Sequence, residues 1–129
     1  MPLLDQAIRQ AMRSKCRYRI GAVLATGNRV LTFGPNTSRN SPTVDFLNAT
    51  YHAEENALRR ARRTKGTVIY VARVNALGKP MLAAPCPRCV RALTLAGVRK
   101  AVYTTSEGPP GTLSLAKAPT YTLCRPQRF

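Results

Sequence analysis

His52 and Glu54 stand two positions apart in His52-Ala53-Glu54, and thirty-four positions beyond His52 come Cys86-Pro87-Arg88-Cys89. An imidazole and two thiols are donors that zinc accepts, and three protein ligands leave a tetrahedral ion one open position. That open position separates a metal that does chemistry from one that only holds a fold. Glu54 is near the metal in sequence without having to bind it, which suits a carboxylate that moves protons. Taken singly, the pieces decide little. A histidine at a helix start is usually a cap or a packed side chain, and a lone Cys-x-x-Cys is equally a redox pair or half of a structural zinc site. Cys16 and Cys124 are the partners such a four-cysteine site needs, but neither sits in a knuckle and the His-x-Glu is then unexplained. The combined pattern points to a catalytic Zn2+ held by His52, Cys86 and Cys89, with Glu54 as the catalytic acid and base.

Two helix starts must bring these groups together. From His52 to about Thr64 the residues are strong helix formers; Ala53, Ala57 and Ala61 recur at i, i+4, i+8, and Gly66 is the expected exit. A second helix is predicted from Pro87 to Ala96, with proline suited to its first turn and Gly97 to its end. Between them Thr67-Val68-Ile69-Tyr70-Val71-Ala72 is a continuous apolar run, the pattern of a strand covered on both faces. A helix plus a buried strand accounts for the spacing between His52 and Cys86. If both helices lie on one side of the sheet their N-termini face each other, and the field there favours thiolates.

The rest of the chain supplies the frame. Residues 2–14 predict an amphipathic helix. Tyr18 to Leu24 and Val30 to Phe33 predict a hairpin turning at Thr26-Gly27-Asn28. A long polar loop runs from Thr37 to about Ala49, and loops of that length tend to be functional. After a turn at Gly78-Lys79-Pro80 and the second helix, Arg99 to Tyr103 predicts a strand. Gly108 to Gly111 predicts a turn, and Thr112 to Leu115 a last short strand. Strands alternating with helices predict a single domain over 1–129, a three-layer α/β/α sandwich on a mixed sheet of about five strands.

Composition bounds the partners. Twenty-one Lys and Arg face five Asp and Glu, a formal net charge of +16, and sixteen of the cations are arginines. Such an imbalance repels itself, and a polyanion relieves it. Two clusters stand out: Arg13, Lys15, Arg17 and Arg19 after the first helix, and Arg59, Arg60, Arg62, Arg63 and Lys65 at the end of the His52 helix. The plain alternative for the second is a solvated face that complements the helix C-terminus, yet five cations in seven residues exceed what a dipole needs. Nucleic acid is therefore the expected partner. Four scattered cysteines do not make a disulfide scaffold, no apolar run is long enough to span a membrane, and the N-terminus lacks a secretory core. A cytoplasmic protein is expected from these features, with no membrane partner.

His52-Ala53-Glu54 together with Pro85-Cys86-Pro87-Arg88-Cys89 resembles the zinc signature of the cytidine deaminase superfamily. His52-Ala53-Glu54-Glu55-Asn56-Ala57-Leu58 is similar to the corresponding helix of cytidine and deoxycytidylate deaminases, and Gly97 to Tyr103 to the strand after their Cys helix. The likeness covers roughly residues 1–105. It implies a cytidine deaminase-like sheet with two zinc-bearing helices beneath it, and it leaves room for an oligomer. The tRNA adenosine deaminase and APOBEC branches carry a further helix after the fourth strand. Here Gly108 to Gly111 makes only a turn, so the last strand is expected to return antiparallel, as in the free-cytidine branch.

The resemblance also implies a reaction. Glu54 takes a proton from a zinc-activated water and passes it to the ring nitrogen of cytosine, C4 is attacked, and ammonia leaves after a second transfer through Glu54. Asn36 matches the family's asparagine that hydrogen-bonds sugar and base, and is equally a turn residue after Pro35; Tyr103, Tyr51 and Phe46 are candidates to stack on the base or to pack in the core, and Ala53 lies between ligand and carboxylate. The expected substrate is cytosine in DNA or RNA, because one or two cations satisfy a mononucleotide and this chain has many more. A nucleotide-pool deaminase for deoxycytidylate or cytidine is the first alternative. A silent zinc module that binds nucleic acid is the second, and the intact Glu54 argues against it.

Overall fold

The computed structural model describes residues 2–16, 18–38 and 50–115, with positions 37, 38, 50 and 51 described through their backbone. In chain order the elements are α1 (Pro2–Arg13), β1 (Arg19–Thr26), β2 (Arg29–Pro35), β3 (Thr37–Ser38), β4 (Thr50–Tyr51), α2 (Ala53–Arg60), β5 (Val68–Val74), β6 (Pro80–Met81), α3 (Pro87–Leu95), β7 (Lys100–Tyr103) and β8 (Gly111–Ser114). The main sheet has the order β2-β1-β5-β7-β8, with β6 also paired to β5; β3 and β4 form a separate antiparallel pair. β5 and β7 are parallel, and the other pairs in the main sheet are antiparallel. The sheet is therefore mixed, and the last strand returns antiparallel as the Gly108–Gly111 turn implies.

Alternation along the strands builds two cores. Ala22, Leu24, Ile69, Val71 and Ala101 face one way and pack with Ala53 and Ala57 of α2 and Leu93 of α3. Val23, Val68, Ala72 and Val102 face the other way and meet Leu4 and Ala7 of α1. β5 is covered on both faces, as its unbroken apolar run predicts. Three layers result, α1 on one side of the sheet and α2 with α3 on the other.

α1 lies unusually close to β1. A Cβ at Gly21 meets the Ala7 carbonyl oxygen and the Ala11 amide nitrogen, both backbone atoms that cannot swing away. Gly21→Ala is expected to lift α1 from the sheet at a cost of about 3 kcal/mol, from the overpacking of a close-packed interface. Urea denaturation checks this, and an unchanged midpoint contradicts it.

Strand bounds shift by one or two residues, and the end of the His52 helix moves further. α2 ends at Arg60 and not near Thr64; its cap, Ala61, is already extended at φ −81°, ψ 136°. A longer helix sets Arg59 and Arg63 at i, i+4 with like charge, which disfavours it. Thr64 is instead spent outside the helix, its Oγ1 donating to the Ala96 carbonyl at 2.6 Å. Gly66 is not the helix exit. It turns at φ 76° within that connection, its N–H donating to the Gly97 carbonyl at 2.8 Å. The β3–β4 pair is not visible in the pattern, and beyond Ser38 the loop expected from Thr37 to about Ala49 lies outside the described residues. The pattern also misses β6, two residues long and opened by a proline. It follows a turn in which the Asn75 side chain accepts the Leu77 and Lys79 amides at 2.9 and 3.0 Å.

Candidate active site

A helix that returns the chain between two parallel strands must run against them, so α3 starts at the carboxyl ends of β5 and β7, the usual ligand edge of such sheets. α2 doubles back into β5 in the same way and starts at the same edge. Its position is fixed by Asn56, whose Nδ2 donates to the Pro35 carbonyl at 3.1 Å, and by Thr32, whose hydroxyl donates to the Ala57 carbonyl at 2.9 Å. The approach to α3 is held by buried Thr104. Its hydroxyl donates to the Met81 carbonyl at 2.6 Å and accepts the Arg73 amide at 3.1 Å, while its carbonyl accepts the Ala83 amide at 3.0 Å. With Met81 and Ala83 anchored, Cys86 caps α3, Pro87 opens its first turn, and Cys89 lies inside that turn.

The two helix starts meet across an ion pair. Arg88 Nε donates to Glu55 Oε2 at 2.8 Å and Arg88 Nη2 to Glu55 Oε1 at 3.3 Å, a two-pronged bridge from α3 to α2. Arg88 is the residue between the two cysteines and Glu55 the one after Glu54, so the bridge joins the halves of the cluster. Pattern reasoning missed this pair. Both charges abut the motif, but only the juxtaposition of the helices pairs them. Since the arginine side chain is 46% exposed, the bridge contributes about 0.5–1 kcal/mol after solvent screening. Arg88→Ala is expected to weaken zinc binding up to about fivefold, read by competition with a chromophoric chelator, and Arg88→Lys to restore only part of the loss.

His52, Cys86 and Cys89 present their ligand atoms within 4.8 Å of one another. His52 Nδ1 is 3.2 Å from Cys89 Sγ and 3.7 Å from Cys86 Sγ. A tetrahedral zinc with Zn–S of about 2.3 Å and Zn–N of about 2.0–2.1 Å sets nitrogen and sulfur about 3.6 Å apart, so the cluster has the size of that ion. The electrostatics agree. Glu54 is 5% exposed, and burial holds its carboxyl above the usual carboxylate range, against its own backbone hydrogen bond and the nearby His52. Burial likewise pushes the Cys89 thiol up, with the Glu54 and Cys86 charges adding to it. A divalent cation offsets such a gathering of buried acids and converts coordinating thiols to thiolates. The residues present fit zinc.

The other expected site residues divide. Ala53 is fully buried in the first turn of α2. Asn36 is buried, and its side chain ties three segments: Oδ1 accepts from the Ser14 hydroxyl at 2.6 Å and the Ile20 amide at 3.1 Å, while Nδ2 donates to the Tyr18 carbonyl at 2.7 Å. Tyr103 is half buried on the α2–α3 side and lays its ring over Gly111, where a Cβ overlaps it. Both therefore have structural duties of their own. Phe46 and Arg17 lie outside the described residues, as does Cys124, and Tyr51 is described in its backbone alone. Arg13, Lys15 and Arg19 gather where α1 ends and β1 begins, with Arg13 and Lys15 exposed.

The second basic cluster spans the end of α2 and the connection that follows it. Arg59 and Arg60 belong to α2, and Arg60 Nη1 donates to the Phe33 carbonyl at 2.9 Å. Arg62, Arg63 and Lys65 fall in the connection to β5, because the helix stops early.

Among the described residues no helix is long and apolar enough to cross a membrane. No curated protein matches the chain. Among solved structures, the chain is similar to a cytidine deaminase from Burkholderia pseudomallei, with TM-score 0.68, 21% identity, and coverage of 88% of this chain and 91% of that one. It is similar also to a dCMP deaminase from the cyanophage S-TIM5, with TM-score 0.62, 23% identity and 79% of each chain covered. A structure from work on tRNA:A34 deaminases that edit A to I at the transfer RNA wobble position gives TM-score 0.52 and 22% identity, covering 79% of this chain and 73% of that one. At these identities the structures share a fold, the cytidine deaminase-like α/β fold, and no more. The family model described as the cytidine and deoxycytidylate deaminase zinc-binding region matches residues 2–105. With a zinc-binding region matched over most of its length and a His, Cys, Cys cluster of the right size inside it, the chain belongs to the cytidine and deoxycytidylate deaminase family and is a zinc-dependent deaminase.

Proposed function

We propose that the chain hydrolyses cytosine to uracil within a polynucleotide, with His52, Cys86 and Cys89 as the zinc ligands and Glu54 as the catalytic acid and base. The observation that carries the chemistry is a buried carboxyl two residues from His52 and beside Cys89. Zinc held there would supply an acidified water, its pKa lowered to about 7. Glu54 accepts the proton of that water and delivers it to N3 of the ring, which makes C4 electrophilic. After water oxygen has bonded to C4, Glu54 carries a second proton to the exocyclic nitrogen. The C4–N bond then breaks, and cytosine plus water has become uracil plus ammonia. A carboxyl held above its ordinary range by burial suits both directions of this transfer. Asn36, Ala53 and Tyr103 are proposed to border the base, and Tyr51 and Phe46 to contact it.

The polymer is favoured by charge: +16 over 129 residues far exceeds what one phosphate requires. The nucleotide-pool reading draws on the fold shared with the cyanophage dCMP deaminase. Uracil formation is to be measured on deoxycytidylate, cytidine, and single-stranded and duplex oligonucleotides. Turnover of single strands well above that of the monomers supports the polymer, turnover of monomers alone supports the pool enzyme, and none on any substrate with zinc bound removes the catalytic reading. Thiol ligands call for a reducing compartment, which supports action in the cytoplasm.

A further inference from the structure

Three chain segments place cations at the sheet edge opposite the metal cluster. Arg29 opens β2 and pairs with Thr26 of β1; Ala25 next to it pairs with Val68 of β5, which pairs with Lys100 of β7. The connection carrying Arg62, Arg63 and Lys65 arrives at the same edge. It is stitched there by the Gly66 to Gly97 and Arg99 to Thr67 backbone bonds, both 2.8 Å, with Lys65 packed against Gly97. Arg29, Arg62, Arg63, Lys65 and Arg99 are exposed and Lys100 is half buried, and none of the six forms an ion pair with a carboxylate among the described residues. Across four adjacent strands the row spans about 14 Å, since strands lie about 4.8 Å apart. β5, seven residues long, separates it from the zinc edge by about 20 Å at roughly 3.3 Å per residue. Like charges held on stiff, hydrogen-bonded turns cannot relax apart, and phosphate is the chemistry that arginine forks match.

We propose that this basic pole anchors the sugar-phosphate backbone of a single-stranded nucleic acid, apart from the pocket that takes its base. The choice of partner rests on the polynucleotide reading above. A single strand is specified because one molecule must reach both edges. A duplex resists bending over so short an arc, its persistence length being about 150 base pairs, whereas a single strand wraps. No aromatic ring is among the six residues, so the grip is electrostatic and indifferent to sequence.

The test uses zinc-loaded protein carrying Glu54→Gln and a fluorescein-labelled oligodeoxycytidylate of roughly twelve nucleotides, with anisotropy read across a salt series. Each phosphate neutralised on a single strand contributes about −0.7 to the log–log salt slope. Arg62→Gln, Arg63→Gln and Lys65→Gln together are expected to flatten that slope by about 2 and to weaken binding at least tenfold near 0.1 M salt, with zinc content and Tm retained. The triple Arg9→Gln, Lys79→Gln, Arg91→Gln removes equal charge elsewhere and is expected to change the slope far less. Saturating deoxycytidylate is expected to leave the strand bound, and a duplex of equal length to bind more weakly. Equal losses in the two triples, displacement by deoxycytidylate, or tighter binding of the duplex each overturns the anchor. The two readings part cleanly. Oligonucleotide turnover with an unaffected pole triple removes the anchor alone, and monomer-only turnover with the expected binding pattern removes the polymeric substrate alone.

Discussion

Glu54→Gln is expected to retain stoichiometric zinc and a native fold while deamination falls by about three orders of magnitude or more. Glutamine keeps the shape of the buried side chain and its place in the first turn of α2, but cannot take or give a proton. A positioned acid–base group contributes about 10²–10⁴-fold, and this one is asked to act twice in each turnover, to N3 and to the leaving nitrogen. Metal analysis, thermal denaturation and uracil formation on the same sample form the measurement. Turnover within tenfold of the unaltered protein assigns the proton transfers to another group. The metal-stripped protein provides a pH readout. Burial raises the folded-state pKa of Glu54 above its unfolded value, so its contribution to stability is greatest below the unfolded pKa and is lost as pH rises through the folded one. In chelator, the Gln variant is therefore expected to gain in Tm over the unaltered protein as pH rises towards neutrality, and the gap to close in mild acid.

Cys89→Ser is expected to abolish zinc retention and with it all measurable turnover. Cys89 is fully buried within the first turn of α3 and its sulfur lies 3.2 Å from His52 Nδ1, inside the ligand cluster. Losing one of three protein ligands leaves two, too few to hold zinc against dialysis. The fold should survive in part, because the cores on both faces of the sheet are built from apolar residues that do not touch the metal. Zinc per chain is expected to drop from about one to below roughly 0.1, with a lowered Tm that added zinc fails to restore, whereas zinc restores the stripped but unaltered protein. Activity in the variant after dialysis against chelator means that His52, Cys86 and Cys89 are not the metal's hold.

What could be read in advance had a local cause. The apolar run from Thr67 to Ala72 announced a strand with two covered faces, and the Ala53, Ala57, Ala61 stripe announced a helix that packs closely on a sheet. The three donors were legible because zinc demands few residue types and helix starts favour their charged forms. What escaped depends on distant parts of the chain. β6 exists because Pro80 and Met81 happen to lie beside Arg73 and Val74. α2 stops at Arg60 because Thr64 and Gly66 are claimed by the end of α3, thirty or so residues away. The Glu55–Arg88 bridge is another long-range pairing, invisible to periodicity. The basic cluster was legible at the end of α2, but its neighbours Arg29, Arg99 and Lys100 come from segments that only the topology brings alongside.

α2 and α3 are fastened at both ends, by Glu55 with Arg88 at their starts and by Thr64 with Ala96 and Gly66 with Gly97 beyond their last turns. Two helices so joined fluctuate as one cooperative unit, and fraying of either is resisted by the other. A bound ion is therefore expected to leave by opening of the pair and not by the swing of a single side chain, so that zinc loss to excess chelator is slow.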